Sequence, residues 1–325
     1  MSTNNERRRK HILQGKDEQD PVGLPNINGY NFDDGVDYDK LFSSFKTTGF
    51  QATNFARAIE LIKQMRKEGC TIYLGYTSNL VTSGLRDIFR YLVQNKFVDI
   101  VVTSAGGVEE DIIKCFNPFL LGSFNADGQD LRKKSINRVG NIFIPNSRYC
   151  AFEEFFLPFL HKITKKQEET KEMTTPSSFI HALGKEIDNE ESITYWCYKN
   201  NIPVFCPALT DGSMGDMMYF FSFENPNLTI DIARDIRNIN DLTFAAKKTG
   251  LIILGGGLVK HHILNTNLMR NGCDYAVYFN TSHAFDGSEA GAPPDEAVSW
   301  GKVSVDAKKH DNAVKVFGDA TILFP

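Results

Sequence analysis

Apolar residues recur along the chain at two periods. Phe55, Ala58, Ile59, Ile62 and Met65 repeat at helical spacing and Gly69 closes the run, which predicts a helix from about Asn54. TIYLGY (71–76) is a short apolar run before a small-residue turn, TSNLVTSG, and predicts a buried strand. A second helical stripe follows through Leu85, Ile88, Phe89 and Leu92. VDIVV (98–102) predicts the next strand, and TSAGGVEED leads from it into another helix. Further on, IPVFCPAL (202–209), GLIILGGG (250–257), CDYAVYFNT (273–281) and AVKVFGDA (313–320) read as strands, with a helix over 228–244 opened by Asn227. DGSMGD reads as a turn, and the charge run KKQEETKEMTT (165–175) as an exposed connection.

Apolar strands alternating with helices predict a Rossmann-like α/β fold, a parallel sheet with helices on both faces. Residues near the N-terminus are polar and broken by Pro21, Gly23 and Pro25. They predict an arm over 1–28, followed by one catalytic domain over 29–325.

The formal net charge of −4 on 325 residues gives no basic footprint for nucleic acid. No apolar run approaches the ~18–20 residues that span a bilayer. The N-terminus lacks the apolar core of a secretory signal, and Arg7-Arg8-Arg9-Lys10 reads as a solvated tail. A cytoplasmic protein is the expectation. Cys70, Cys115, Cys150, Cys197, Cys206 and Cys273 form no CxxC pair, so reduced thiols are expected and no metal site.

Ligands of parallel sheets bind at the carboxyl ends of the strands. Here those ends carry Ser78-Asn79, Ala105-Gly106-Gly107, Asp211-Gly212-Ser213, Gly255-Gly256-Gly257 and Thr281. Small residues there let a phosphate approach a helix N-terminus. The GxGxxG fingerprint is absent, and a GGG turn by itself is most often turn geometry. Together the turns outline one cofactor crevice, with Asp319 as a candidate for a ribose hydroxyl.

The densest chemistry lies in FDGSEAGAPPDEAVSWGKV (285–303), which gathers Asp286, Glu289, Asp295, Glu296, Trp300 and Lys302. Carboxylates and an indole suit a polyamine cation through ion pairing and a cation–π face. A lysine desolvated beside Trp300 would favour its neutral form and serve as a Schiff-base nucleophile. Most lysines only solvate the surface, so the loop alone does not single out Lys302.

Five segments carry a resemblance: VVTSAGGVEEDIIK, PALTDGSMGD, ILGGGLVKHHI, NLMRNGCDYAVYFNT and PDEAVSWGK. They closely resemble the deoxyhypusine synthase family, over about 29–325. The resemblance implies an NAD-dependent transfer of the aminobutyl group of spermidine, through an imine on Lys302, to a lysine of eukaryotic translation initiation factor 5A, releasing 1,3-diaminopropane. It implies spermidine contacts at Glu109, Glu110, Asp216, His261, Gly287, Ser288, Glu289, Glu296 and Trp300, with His261 the proton shuttle. It implies NAD contacts at Ser78, Asn79, Leu80, Val81, Thr82, Ser104, Ala105, Gly106, Glu110, Asp211, Gly256, Thr281, Ser282, Asp319 and Ala320. It also implies a homotetramer, or a hetero-tetramer with a paralogue, with sites between subunits and an arm that plugs an entrance. Transfer to putrescine by a homospermidine synthase, and a regulatory subunit, are the alternative readings. Departures from the family pattern are Glu289 for the usual aspartate, Ala290 for a serine, and Thr281-Ser282 for Thr-Ala. The connection from Arg66 to Cys70 is also shorter, and the chain ends at Leu323-Phe324-Pro325.

Overall fold

A computed structural model describes residues 2–13 and 22–325. Part of the expected arm, with Pro21, lies outside the described residues. Two compact units are present, one ending at Thr53 and the other Asn54–Pro325. The first holds the helix Ser2–Ile12, along which Arg7, Arg8, Arg9 and Lys10 are exposed. It also holds Tyr38–Ser44, capped by Asp37, whose carboxylate accepts from Lys40 N at 3.1 Å. The helix Phe50–Lys67 starts earlier than its apolar stripe, because Phe50 is exposed and adds nothing to the pattern.

The second unit is built on a six-stranded sheet. Its strands are β1 (Thr71–Tyr76), β2 (Ile100–Thr103), β3 (Val204–Phe205), β4 (Thr249–Leu254), β5 (Tyr275–Asn280) and β6 (Ala313–Phe317). All pairings are parallel, in the order β3-β2-β1-β4-β5-β6, with Leu74 opposite Val101 on one side and Ile252 on the other. β2, β4 and β5 are buried at every residue, as a sheet covered on both faces requires. Leu74, Tyr76 and Val101 join the core on one face; Tyr73, Ile100 and Val102 join that on the other. The expected Rossmann-like fold is therefore observed. The chain runs outward from β1 through β2 to β3, returns to β4, and runs outward the other way. That reversal opens a crevice between β1 and β4, at the carboxyl edge.

Several boundaries differ from the sequence pattern. Only Val204–Phe205 of the 202–209 run joins the ladder. The expected DGSMGD turn is mostly helix, because Ser213 opens Ser213–Ser222. The helix expected from Asn227 is Ile232–Ala245, and Asp231 is its cap, accepting from Arg234 N at 2.9 Å. The charge run from Lys165 is not a connection up to Thr170: it ends the helix Ser147–Thr170, with Lys165 and Glu169 paired at 3.8 Å across one turn.

A three-stranded antiparallel sheet over 120–145 and three helices over 147–200 form an excursion before β3. Asp111 ties it to the sheet. This fully buried carboxylate pairs with Arg86 Nε at 2.8 Å and accepts from Ser192 Oγ, Ile193 N and Thr194 N at 2.7–3.0 Å. All six cysteines are free thiols, and among the described residues no helix is long and apolar enough to cross a membrane.

Candidate active site

Because every strand runs the same way, all six carboxyl ends lie along one edge. β1 leads into α1 (Ser78–Thr82) and β2 into α2 (Ala105–Phe116). β3 precedes Asp211 and α3 (Ser213–Ser222), and β4 precedes Gly256 and α4 (Gly257–Asn267). β5 leads to Thr281 and Ser282, and β6 to Asp319 and Ala320. The expected cofactor residues thus come one cluster from each strand.

These clusters are packed together. A Cβ on Gly106 would lie 2.6 Å from Ser78 Cβ, so the first turns of α1 and α2 touch. Ser104 precedes α2, and its hydroxyl is buried without a partner among the described residues. Glu110 accepts from the Thr82 hydroxyl, and burial pushes its carboxyl up to about 7. Glu109 accepts from Met214 N at 2.8 Å and so caps α3; burial raises its pKa too. Lys114 donates to the carbonyls of Val81, Thr82 and Ser83 at 2.6–2.8 Å, closing α1 from its C-terminal end. Burial brings that ammonium down to about 8. Asp319 caps the last helical turn, accepting from Thr321 N at 2.8 Å.

Of the polyamine candidates, Asp216 lines one cavity and Glu289, Glu296 and Trp300 line another, while Glu109 and Glu110 line neither. One of about 480 Å³ is lined by Asp216, Ser213, Met217 and Phe220 from α3, with Tyr149 and Glu153. The other is a tight pocket lined by Glu289, Glu296, Trp300, Lys302, Lys260 and Leu264, among others. α5 (Pro294–Ser299) carries Glu296, and Gly301, at φ +73°, turns the chain after it. Lys302 N then donates to Ala297 O at 2.9 Å, and Lys302 O accepts from Cys273 N at 3.1 Å just before β5. These bonds place the Lys302 side chain in the pocket, 7% exposed, with Nζ 5.6 Å from the Trp300 ring centroid. Trp300 is itself 66% exposed. Gly287 and Ser288 are exposed on the loop, and His261 is exposed on α4; none of the three lines either cavity. A Cβ on Gly256 would lie 2.4 Å from Ala290 Cβ, so the loop rests directly on the β4 turn.

Two participants escape the sequence reading. Tyr149 lines the larger cavity together with Asp216. Lys260 lies fully buried in the pocket of Lys302. A signal for Lys260 exists: it falls on the stripe of Val259, Ile263, Leu264 and Asn267, all of them buried.

The parallel sheet, with a candidate site at its carboxyl edge and a loop carrying a buried lysine beside it, defines a protein of the Rossmann-like α/β class. The sequence profile described as deoxyhypusine synthase matches residues 40–325. The chain is 52% identical to the deoxyhypusine synthase of Arabidopsis thaliana, over 92% of this chain and 88% of that one. It is 51% identical to that of Caenorhabditis elegans, over 94% and 89%. A crystal structure from Entamoeba histolytica, of a protein provisionally assigned to the same family, superposes with a TM-score of 0.66 at 37% identity, over 92% of this chain and 94% of that one. The chain belongs to the deoxyhypusine synthase family of transferases. These matches favour neither a homospermidine synthase nor a regulatory subunit.

Proposed function

We propose that this chain transfers the aminobutyl group of spermidine, with NAD as cofactor, through an imine on Lys302 to a lysine of eukaryotic translation initiation factor 5A. One observation carries the reading: Lys302 is buried in a pocket with an indole and two carboxylates. Glu289 and Glu296 suit ammonium groups, and Trp300 suits the methylene chain and its charge. Asp216, Gly287, Ser288, Glu109 and Glu110 complete the polyamine set. Asp216 lines a different cavity from Lys302, and in the tetramer implied by the family a site completed between copies would join the two.

The carboxyl edge fits a dinucleotide. Its Ser104 hydroxyl, buried and without a partner among the described residues, stands at the start of a helix of 12 residues, where an anion is favoured. Ser78 to Thr82, Ser104 to Gly106, Glu110, Asp211, Gly256, Thr281, Ser282, Asp319 and Ala320 would hold it. The chemistry NAD supplies when bound is reversible acceptance of a hydride from the carbon beside the secondary amine of spermidine.

Lys302 Nζ then attacks the imine carbon. The bond from that carbon to the 1,3-diaminopropane nitrogen breaks, and that nitrogen takes the proton that Lys302 gives up. The fragment stays as an imine on Lys302. The acceptor lysine attacks the same carbon and displaces Lys302, whose nitrogen takes back a proton; a bound cofactor would return the hydride it had accepted to the new imine, so there would be no net redox change. His261 carries the proton between the departing and attacking amines. The test is the purified chain with NAD, spermidine and the factor 5A precursor. Release of 1,3-diaminopropane with one aminobutyl group gained by the acceptor is expected; no gain on the acceptor would refute the reading.

A further inference from the structure

The segment 281–293 leaves the end of β5 and returns to α5 without entering a strand or helix. No ladder serves its carbonyls: Ala284 O and Ser288 O accept from N–H groups within the loop, and other carbonyls need donors from outside it. Two lysines supply them. Lys260 Nζ, from α4, donates to Glu289 O at 2.6 Å and Ala292 O at 2.7 Å. Lys315 Nζ, from β6, donates to Ser282 O and Gly291 O at 2.7 Å each. Among the described residues neither ammonium forms an ion pair with a carboxylate.

We propose that Lys260 and Lys315 are positioning residues that staple the backbone of the 282–292 loop and so fix Glu289 and the launch of α5 toward Lys302. Lys315 ties residue 282 to residue 291 and thereby closes the neck of a compact Ω-like excursion. The neck is tight: a Cβ on Gly291 would lie 1.6 Å from His283 O. Lys260 holds the other shoulder, at Glu289 and at Ala292, the last residue before the two prolines that start α5. An ammonium suits this task because one nitrogen offers three donors to carbonyls on different residues.

The charge around Lys260 is balanced. Glu289 and Glu296 favour its ammonium, Lys315 and Lys302 oppose it, and the Tyr278 ring lies 4.7 Å away. Burial is the largest influence and brings Lys260 down to about 8. A neutral amine still has two hydrogens, enough for both carbonyls. Either protonation state can therefore hold the loop.

The inference deepens the proposed function and rests on it for the identity of the substrate, but not for the staple itself. Hydrogen exchange of the full chain, without ligand, tests the staple in Lys260→Met and Lys315→Met. Amides over 283–292 are expected to exchange about tenfold to a hundredfold faster, the ratio that one or two lost charged hydrogen bonds produce. Amides of β4 and β5 are expected to keep their protection. In turnover, KM for spermidine is expected to rise more than kcat falls. Lys315→Arg is expected to restore most of the protection, because Lys315 is half-exposed and a guanidinium fork reaches two carbonyls. If Lys260→Met fails to fold, the half-exposed Lys315 site carries the test. Unchanged exchange over 283–292 in folded Lys315→Met would overturn the proposal. So would acceleration in Lys315→Arg equal to that in Lys315→Met, since side-chain packing rather than donated bonds would then hold the loop.

Discussion

The turns after β1, β2 and β4 pass directly into helices, whereas the loop after β5 reaches α5 with neither ladder nor helix to hold it. The first region inherits its geometry from the sheet, and its candidate cofactor residues are fixed wherever the strands are fixed. The second region carries Glu289, Glu296, Trp300 and Lys302, and is held by side chains that reach backbone carbonyls. A site built on strand ends tolerates change in single side chains; a loop pinned at four carbonyls does not. The two regions meet where Ala290 packs on Gly256. Cofactor and substrate defects are therefore expected to separate, except at that contact, at Glu110, which is a candidate for both ligands, and at Thr281 and Ser282, cofactor candidates where the loop begins.

The largest expected effect breaks the loop's chemistry and leaves the sheet edge intact. Lys302→Arg keeps a positive charge, but its guanidinium stays protonated and forms no Schiff base readily. Transfer to the acceptor is expected to fall on the order of a thousandfold or more. Stabilisation of the folded chain by NAD, read as a rise in Tm, is expected to persist. Transfer within tenfold of the parent would break the assignment.

That division also marks how much the sequence discloses. The six strands are legible because a sheet buried on both faces writes itself as apolar runs, and the turns are legible as the small residues that end them. The excursion over 117–200 is not. Its long helix contains Pro158, which reads as a break, and much of its small sheet is exposed and lacks alternation. INRVGNIFIP does carry a Gly-Asn hairpin signal, and it pairs as one. The candidate site is legible only through resemblance, because a nucleophilic lysine and a stapling lysine have the same letter as a surface one. Burial of Lys260, and its separation from Asp216, appear only once α4 and α3 are in place.

A second prediction separates the regions by ligand. Asp216→Ala and Glu296→Ala are each expected to weaken spermidine binding by about tenfold to a hundredfold, as loss of a charged hydrogen-bond partner does. The Tm rise with NAD should change little. Equal loss of both ligands in calorimetric titrations would show that the two regions are not independent.

A third, smaller effect concerns the sheet edge and pH. Burial lifts Glu110 to about 7 from an ordinary 4.5. Between these values the folded chain keeps a proton that the unfolded chain has released, so stability falls as pH rises from about 4.5 to about 7. The fall reaches about 3 kcal/mol by integration of the shift. Glu110→Gln should flatten this slope in urea unfolding measured from pH 5 to 8, and Glu109, raised in the same direction, should keep part of it. An unchanged slope would mean that Glu110 is not desolvated as the structure has it.

The central claim is that Lys302 carries the aminobutyl fragment, and trapping tests it most directly. Borohydride added during turnover with NAD and spermidine reduces an enzyme imine to a stable secondary amine. Peptide mass spectrometry should then find an aminobutyl adduct on Lys302 and on no other lysine. Lys260, fully buried in the same pocket and brought down to about 8, is the sharpest rival. An adduct on Lys260, or active turnover that leaves no adduct on Lys302, would contradict the account.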